Sequence, residues 1–132
     1  MTSRMAFAFP GRFQSLSIQS GGFYWDPNVC HCGDADDKLA CIQACEDSHI
    51  AELSEQNPSF KAALSQHPPS LFLHGANDTT VTPFLSESYL DTLKRGVQVN
   101  SSRVVDPDAG HQWISQASSL ILQWVRQHAA LR

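Results

Sequence analysis

With 132 residues, a formal net charge of −4 and an apolar fraction of 42%, the chain has the composition of a globular protein of one domain. Its nine lysine and arginine residues are dispersed rather than clustered, which argues against a nucleic-acid partner. Its apolar runs are far shorter than a membrane span, so a membrane partner is not expected either. We therefore expect residues 1–132 to form a single domain or a part of one.

The N-terminal half predicts a helix, a strand and an insertion. Residues 2–9 are typical of a helix that stops at Pro10, and residues 13–20 alternate apolar and polar positions as a strand does. Residues 27–69 contain the cysteines and further helix-forming residues, which predicts a cysteine-rich helical insertion within the domain. Three aromatic residues follow the strand and are either a lid over the core or a wall of a substrate pocket. They are Phe23, Tyr24 and Trp25.

The C-terminal half predicts two more strands, each followed by a helix. The strands are expected at residues 70–74 and 97–106, and the helices at residues 83–93 and 114–130. Strands that alternate with helices predict a parallel sheet with helices packed on its faces. The fold class is therefore α/β, with three parallel strands, flanking helices and the cysteine-rich insertion.

Four cysteines lie within one short segment, at Cys30, Cys32, Cys41 and Cys45. Two disulfides are the favoured interpretation, each joining a cysteine of the first pair to one of the second. Zinc binding is the alternative because histidines lie nearby, but the paired C-x-x-C spacing of zinc sites is absent. Disulfides indicate an oxidising compartment, whereas the first nine residues do not resemble a signal peptide.

Two loops that follow predicted strands carry Asp78 and His111. Taken singly, Asp78 could be a turn or capping acid and His111 a surface histidine. Both loops leave the same edge of a parallel sheet, however, so the carboxylate is expected to accept a hydrogen bond from the imidazole and to fix its tautomer. Gly110 is expected to let the two backbones approach closely, and Asp106 and Asp108 are more typical of turn formers.

Two further residues are candidates for the substrate pocket. His74 ends a strand, where a histidine more often bonds a backbone group or lines a pocket than transfers a proton. Trp113 follows the histidine loop, and we expect it to pack against the protein rather than to wall the site. The other histidines, His67 among them, are predicted to lie on the surface. We predict no metal ion at the catalytic residues and no cofactor.

The loop sequences resemble those of a known fold family. Residues 73–81, with the run His-Gly-Ala-Asn-Asp, resemble the acid loop of α/β-hydrolases. Residues 109–113 resemble their histidine loop, and residues 1–13 and 18–22 are similar to the segment after the nucleophile elbow. Within that fold, the chain resembles the esterases grouped with polyhydroxyalkanoate depolymerases and feruloyl esterases. The resemblance implies a serine-type carboxylic ester hydrolase acting on a small-molecule or polymer ester, with Asp78 and His111 as catalytic acid and histidine.

One part of the family pattern is missing from the sequence. The nucleophile of these enzymes sits in a Gly-x-Ser-x-Gly turn, which the 132 residues do not contain. Ser20 precedes Gly21 and Gly22, but it lacks a glycine two positions earlier and is not expected to replace it. We therefore predict that the chain is the C-terminal portion of a hydrolase and that this portion is inactive alone. The parent protein is expected to be extracellular. The alternative is a non-catalytic remnant that acts as a ligand-binding or interaction module.

Overall fold

The computed structural model describes residues 2–22, 31–32, 36–37, 40–42, 44–45, 48, 52, 55–96 and 100–129. Its helices are α1 (Thr2–Ala8), α2 (Pro58–Ser65), α3 (Pro83–Gly96) and α4 (Ala117–His128). Its strands are β1 (Leu16–Gln19), β2 (Ser70–Gly75) and β3 (Ser102–Asp106). The residues described between 40 and 52 are helical as well. The predicted pocket residues Phe23, Tyr24 and Trp25 lie outside the described residues, as does Cys30.

The three strands form one parallel sheet in the order β1-β2-β3. Every residue of β2 is buried, as expected for a central strand covered on both faces. The register pairs Ile18 of β1 with Phe72, and Gly75 of β2 with Asp106. The predicted α/β class with three parallel strands and flanking helices is confirmed. None of the helices in the described ranges is long and apolar enough to cross a membrane.

Alternation along β2 divides the core into two layers. Phe72 contacts a cluster drawn from α1, β1, α2 and α3, which includes Ile18 and Tyr89. Its neighbours Leu71 and Leu73 belong to a second cluster with residues of the histidine loop and α4. Because successive strand residues point to opposite faces, a run of apolar residues supplies both layers. The carboxyl end of β2 is thereby fixed between helices on both sides.

Local signals explain where the helices begin. The side chain of Asn57 accepts a hydrogen bond of 3.0 Å from the Phe60 N–H and caps α2. Pro83 opens α3, where its missing N–H has no cost. The predicted start of the last helix at Ile114 is wrong, since α4 begins at Ala117. Ile114 is buried in the second core cluster, so its apolar side chain anchors the preceding loop and does not mark a helical repeat.

The prediction that His67 lies on the surface is also wrong. His67 is buried, with Nδ1 2.8 Å from the Pro68 carbonyl oxygen and Nε2 2.6 Å from Tyr89 Oη. Burial lowers the pKa of His67, and the bond to Pro68 raises it by less. Burial also raises the pKa of Tyr89. Both polar rings are tolerated in the core because they bond to each other.

The cysteine segment contains a disulfide between Cys32 and Cys41, which joins the first cysteine pair to the second as predicted. Cys45 is disulfide-bonded as well. The zinc alternative is therefore wrong for these thiols, because oxidised sulfur does not ligate zinc as a thiolate does. Leu64, near the end of the predicted insertion, belongs to the first core cluster. The boundaries of the insertion at residues 27 and 69 stay a prediction.

Candidate active site

The loops after β2 and β3 bring Asp78 and His111 into contact. His111 Nδ1 lies 2.9 Å from Asp78 Oδ2, although the residues are 33 positions apart. The carboxylate accepts, so Nδ1 carries the proton and Nε2 is left with its lone pair. The carboxylate is fully buried while 47% of the His111 side chain is exposed. This arrangement places a basic nitrogen, held by an acid behind it, where a reacting group can reach it.

Hydrogen bonds from its own loop hold Asp78 in place. The N–H groups of Thr80 and Val81 donate to Asp78 Oδ1 at 2.9 and 2.8 Å. Burial alone raises the pKa of Asp78, but the bonds from Val81, His111 and Thr80 together lower it below its usual value. The carboxyl group is therefore ionised at neutral pH, as an acid that orients a histidine must be.

Hydrogen bonds between backbone groups join the acid loop to the histidine loop. Ala76 N–H donates to the Asp106 carbonyl at 2.8 Å, and Asn77 N–H donates to the Ala109 carbonyl at 2.9 Å. The Asn77 side chain also donates to the Pro107 carbonyl at 2.9 Å. These bonds extend the pairing of β2 with β3 beyond the sheet. The register of the two strands therefore also fixes how the two loops are aligned.

Close approach of the two loops depends on Gly75. A Cβ atom on Gly75 would lie 2.3 Å from the Gly110 carbonyl oxygen and 2.4 Å from that of Ala109. A Cβ atom on Gly110 would meet only the Asn77 carbonyl oxygen, at an ordinary 3.7 Å. The expectation that Gly110 allows the approach is thus wrong, since the space is needed at the strand end. In the sequence, a glycine directly at the end of an apolar run was the signal that could have indicated a close backbone approach at Gly75.

Asp106 in the histidine loop acts as a turn former, as predicted, and the backbone of Asp108 completes its turn. Asp106 Oδ1 accepts a hydrogen bond of 3.0 Å from the Asp108 N–H, and Asp108 is exposed. An Asx turn of this kind is a local structure that uses the carboxylate on the backbone.

The two other described pocket candidates have opposite surroundings. His74 has an exposed fraction of 0%, so its ring presents no surface to a ligand in this structure. Its Nε2 lies 2.7 Å from the Val81 carbonyl oxygen and 3.3 Å from Asp78 Oδ2, which makes it a neighbour of the acid. Trp113 is 59% exposed, so the expectation that it packs is wrong. An exposed indole two positions after His111 remains a candidate for contact with a substrate.

Gln19 links the end of β1 to the histidine loop, a contact that no sequence pattern indicates. Its Nε2 donates to the Gln112 carbonyl oxygen and to Ser20 Oγ, each at 3.1 Å. Ser20 has a φ of 49°, an uncommon conformation for a residue other than glycine. Gln112 is 93 positions from Gln19, and the two meet because β1 and the strand before Gln112, β3, both pair with β2.

Comparison with known proteins agrees with this geometry. A family model described as the prolyl oligopeptidase family matches residues 5–131. The chain is 30% identical to a poly(3-hydroxyoctanoate) depolymerase of Pseudomonas fluorescens over 128 residues, 96% of this chain and 36% of that protein. Its fold is similar to that of SOBER1 from Arabidopsis thaliana, with a TM-score of 0.59 at 16% identity over 97% of this chain and 47% of that one. The Zea mays acyl-protein thioesterase 2 gives a TM-score of 0.58 at 15% identity, over 96% and 48% of the two chains.

These similarities establish the α/β-hydrolase fold that the loop sequences predicted. The structural likeness at such low identity concerns the fold alone, and the depolymerase supplies the link to ester hydrolysis. The chain spans 36% of the length of that depolymerase and 47% and 48% of the two solved structures.

Proposed function

Since the chain belongs to the prolyl oligopeptidase family, we propose that it supplies the acid and the histidine of a serine-type carboxylic ester hydrolase. Asp78 is the acid, His111 is the base, and the nucleophilic serine comes from a segment that precedes these residues in the parent protein. The observation that carries the proposal is the 2.9 Å contact between Asp78 Oδ2 and His111 Nδ1 at the carboxyl edge of a parallel sheet.

The geometry suits the two proton transfers of acyl transfer. His111 Nε2 takes the proton of the serine hydroxyl as its oxygen attacks the ester carbonyl, and then gives that proton to the departing alcohol. The second half-reaction repeats these steps with water as the nucleophile and releases the acid. The buried carboxylate of Asp78 stabilises the imidazolium formed in both halves without taking its proton. The oxyanion donors of such enzymes include the backbone after the nucleophile, and we assign them to the same preceding segment.

Esters are the proposed substrate class, as small molecules or as a polyester. The basis is the 30% identity to a poly(3-hydroxyoctanoate) depolymerase, whose name specifies a polymer of hydroxy acid esters. Trp113 is exposed and lies two positions after His111. Among the residues that the structure describes, it is the one that we propose to contact an apolar acyl chain. The Cys32–Cys41 disulfide supports a parent protein that is exported to an oxidising compartment.

The test compares the parent protein with two carboxylate variants. Hydrolysis of a p-nitrophenyl octanoate ester is followed for the wild type, for Asp78→Asn and for Asp108→Asn. We expect Asp78→Asn to lower kcat on the order of 10³- to 10⁴-fold, as the loss of an orienting acid does. Asp108→Asn is the matched control, because that exposed side chain lies in the histidine loop itself, whereas the carboxylate bonded to His111 is that of Asp78. Loss of activity in the control with retention in Asp78→Asn would overturn the assignment.

The nucleophile is tested separately with a fluorophosphonate probe, which labels activated serines. The parent protein should be labelled in a preceding Gly-x-Ser-x-Gly segment, and the 132-residue chain should be neither labelled nor active. Rapid ester hydrolysis by the isolated chain would contradict this part of the proposal. A parent protein without the segment and without activity would favour a non-catalytic remnant that binds ligands or other proteins.

A further inference from the structure

A chain of buried polar groups runs from β3 to the acid loop. Arg103 Nε donates to Ser86 Oγ at 2.9 Å, and Ser86 Oγ lies 3.0 Å from His74 Nδ1. On the other side of the ring, His74 Nε2 lies 2.7 Å from the Val81 carbonyl oxygen. Ser86 and His74 are buried, so none of these groups exchanges its partner for water without a cost.

Chemistry fixes the donor and acceptor roles at the two ends of this chain. Arg103 only donates, and the Val81 carbonyl only accepts, so His74 carries its proton on Nε2. The single hydroxyl proton of Ser86 has two acceptors within reach, His74 Nδ1 at 3.0 Å and the Pro83 carbonyl at 2.8 Å. Arg103 Nη2 also donates to the Pro83 carbonyl at 2.9 Å, whose oxygen has two lone pairs and can accept both bonds. Whichever acceptor takes the hydroxyl proton, the His74 ring lies between Ser86 Oγ at Nδ1 and the Val81 carbonyl at Nε2.

Val81 connects this chain to the catalytic carboxylate. Its carbonyl accepts from His74, while its N–H donates to Asp78 Oδ1 at 2.8 Å. The same His74 nitrogen lies 3.3 Å from Asp78 Oδ2, the oxygen that faces His111. The buried ring of His74 thus bonds the carbonyl of the residue whose N–H holds one carboxylate oxygen, and the ring also lies against the other carboxylate oxygen.

We propose that His74 is a positioning residue for the Asp78–His111 pair, itself held in place by Ser86 and Arg103. It acts through Val81 and touches neither substrate nor reacting atoms. Its catalytic consequence rests on the proposed function, but its effect on the geometry of the pair does not. Without His74 the acid loop loses its tie to α3, and the carboxylate no longer keeps the His111 proton on Nδ1.

The tautomer of His111 reports this effect directly. Long-range ¹H–¹⁵N correlation spectra of ¹⁵N-histidine-labelled protein distinguish a proton on Nδ1 from one on Nε2. In the wild type His111 should hold its proton on Nδ1, because the carboxylate accepts there. In His74→Phe we expect the ratio of the Nδ1–H to the Nε2–H form to fall roughly tenfold, the lower range for loss of a hydrogen bond to a charged group.

His67→Phe is the matched control for a merely structural role. His67 is also a buried histidine with a backbone carbonyl and a hydroxyl as partners, but it lies in the first core cluster region beside Tyr89. Its replacement should lower stability and leave the His111 tautomer unchanged. An equal change of the tautomer in both variants would show that general loosening of the fold is responsible, and would overturn the proposal.

Two conservative variants separate the nitrogens of His74. In His74→Gln the side-chain amide nitrogen lies about as far from the backbone as Nε2, so this variant should restore the wild-type tautomer ratio of His111. In His74→Asn the amide nitrogen lies only as far out as Nδ1, so this variant should not restore the ratio. If His74→Phe does not fold, this pair and Ser86→Ala provide the readout, with a smaller shift in the same direction for Ser86→Ala. A folded His74→Asn with the wild-type ratio refutes the role of His74 while leaving the proposed ester hydrolysis untouched. Loss of activity in Asp78→Asn tests that function independently.

Discussion

Replacement of Gly75 by alanine tests whether the strand end allows the acid loop and the histidine loop to approach each other. The new Cβ atom would stand 2.3 Å from the Gly110 carbonyl oxygen, whereas ordinary contact begins at 3.4 Å. The histidine loop must therefore move by about 1 Å away from β2, because its rigid backbone is what obstructs the atom. A displacement of that size stretches the 2.9 Å bonds from Asn77 N–H to Ala109 and from His111 to Asp78 beyond hydrogen-bonding distance.

The expected loss of stability follows from these contacts. Overpacking costs about 1–3 kcal/mol and a weakened hydrogen bond about 1 kcal/mol. Alanine offsets roughly 0.5–1 kcal/mol of this, because it has less backbone entropy to lose than glycine. We expect a net loss of about 2 kcal/mol in the free energy of unfolding, measured by urea denaturation with circular dichroism. The His111 tautomer should shift in the same variant.

Gly110→Ala is the control for this experiment. Its Cβ atom would meet a single carbonyl oxygen at 3.7 Å, so we expect a change within about 0.5 kcal/mol, as for an unhindered surface substitution. The reasoning fails if Gly75→Ala is as stable as the wild type and keeps the proton of His111 on Nδ1. It also fails if the two alanine variants lose the same stability, since the clash exists at only one of them.

Three further predictions concern pH and the disulfide. Burial raises the pKa of Asp78, but its hydrogen bonds lower that pKa by more. The ionised carboxylate therefore stabilises the fold fully above about pH 5, and this stabilisation is lost as the pH falls through the ordinary aspartate pKa of about 3.9 toward the lowered pKa of the folded state. Urea unfolding of the wild type and Asp78→Asn should therefore differ at neutral pH and converge in acid, and a constant difference would contradict this. Burial lowers the pKa of His67, so the wild type should lose stability relative to His67→Phe as pH falls below about 6.5; parallel pH profiles would exclude the effect. Replacing Cys32 and Cys41 together by alanine should lower stability by about 2–3 kcal/mol in thermal unfolding, because their bond closes a loop with a sequence separation of 9, and an unchanged Tm would refute it.

Several features of the fold follow from local sequence, and those were predicted well. The buried strand β2 is a short apolar run that ends at His-Gly, and Pro83 marks the start of α3. Such signals depend on side-chain periodicity and on backbone chemistry within a few residues. Errors occurred where an apolar residue packs outside regular structure. Ile114 was assigned to a helix because periodicity alone does not distinguish a helical repeat from a loop anchor.

The sequence did not predict which side chains bond to the buried histidines. Histidine is neither a typical core residue nor a typical surface residue, and the partners of His67 and His74, Tyr89 and Ser86, lie 22 and 12 positions away. Burial of a histidine is acceptable only where both ring nitrogens find partners. Whether they do depends on how α3 packs against β2, which no local pattern specifies.

For Asp78 and His111, the order of strands and loops predicts that the two residues meet, whereas the packing of the sheet sets the distance and orientation between them. Asp78 and His111 each follow a strand, and parallel strands deliver such loops to one edge, so their proximity was already implied by the order of elements. The 2.9 Å contact additionally requires the open space at Gly75 and the support of Val81 by His74. These depend on distances between segments far apart in the chain, and such distances are set only when both faces of the sheet are packed.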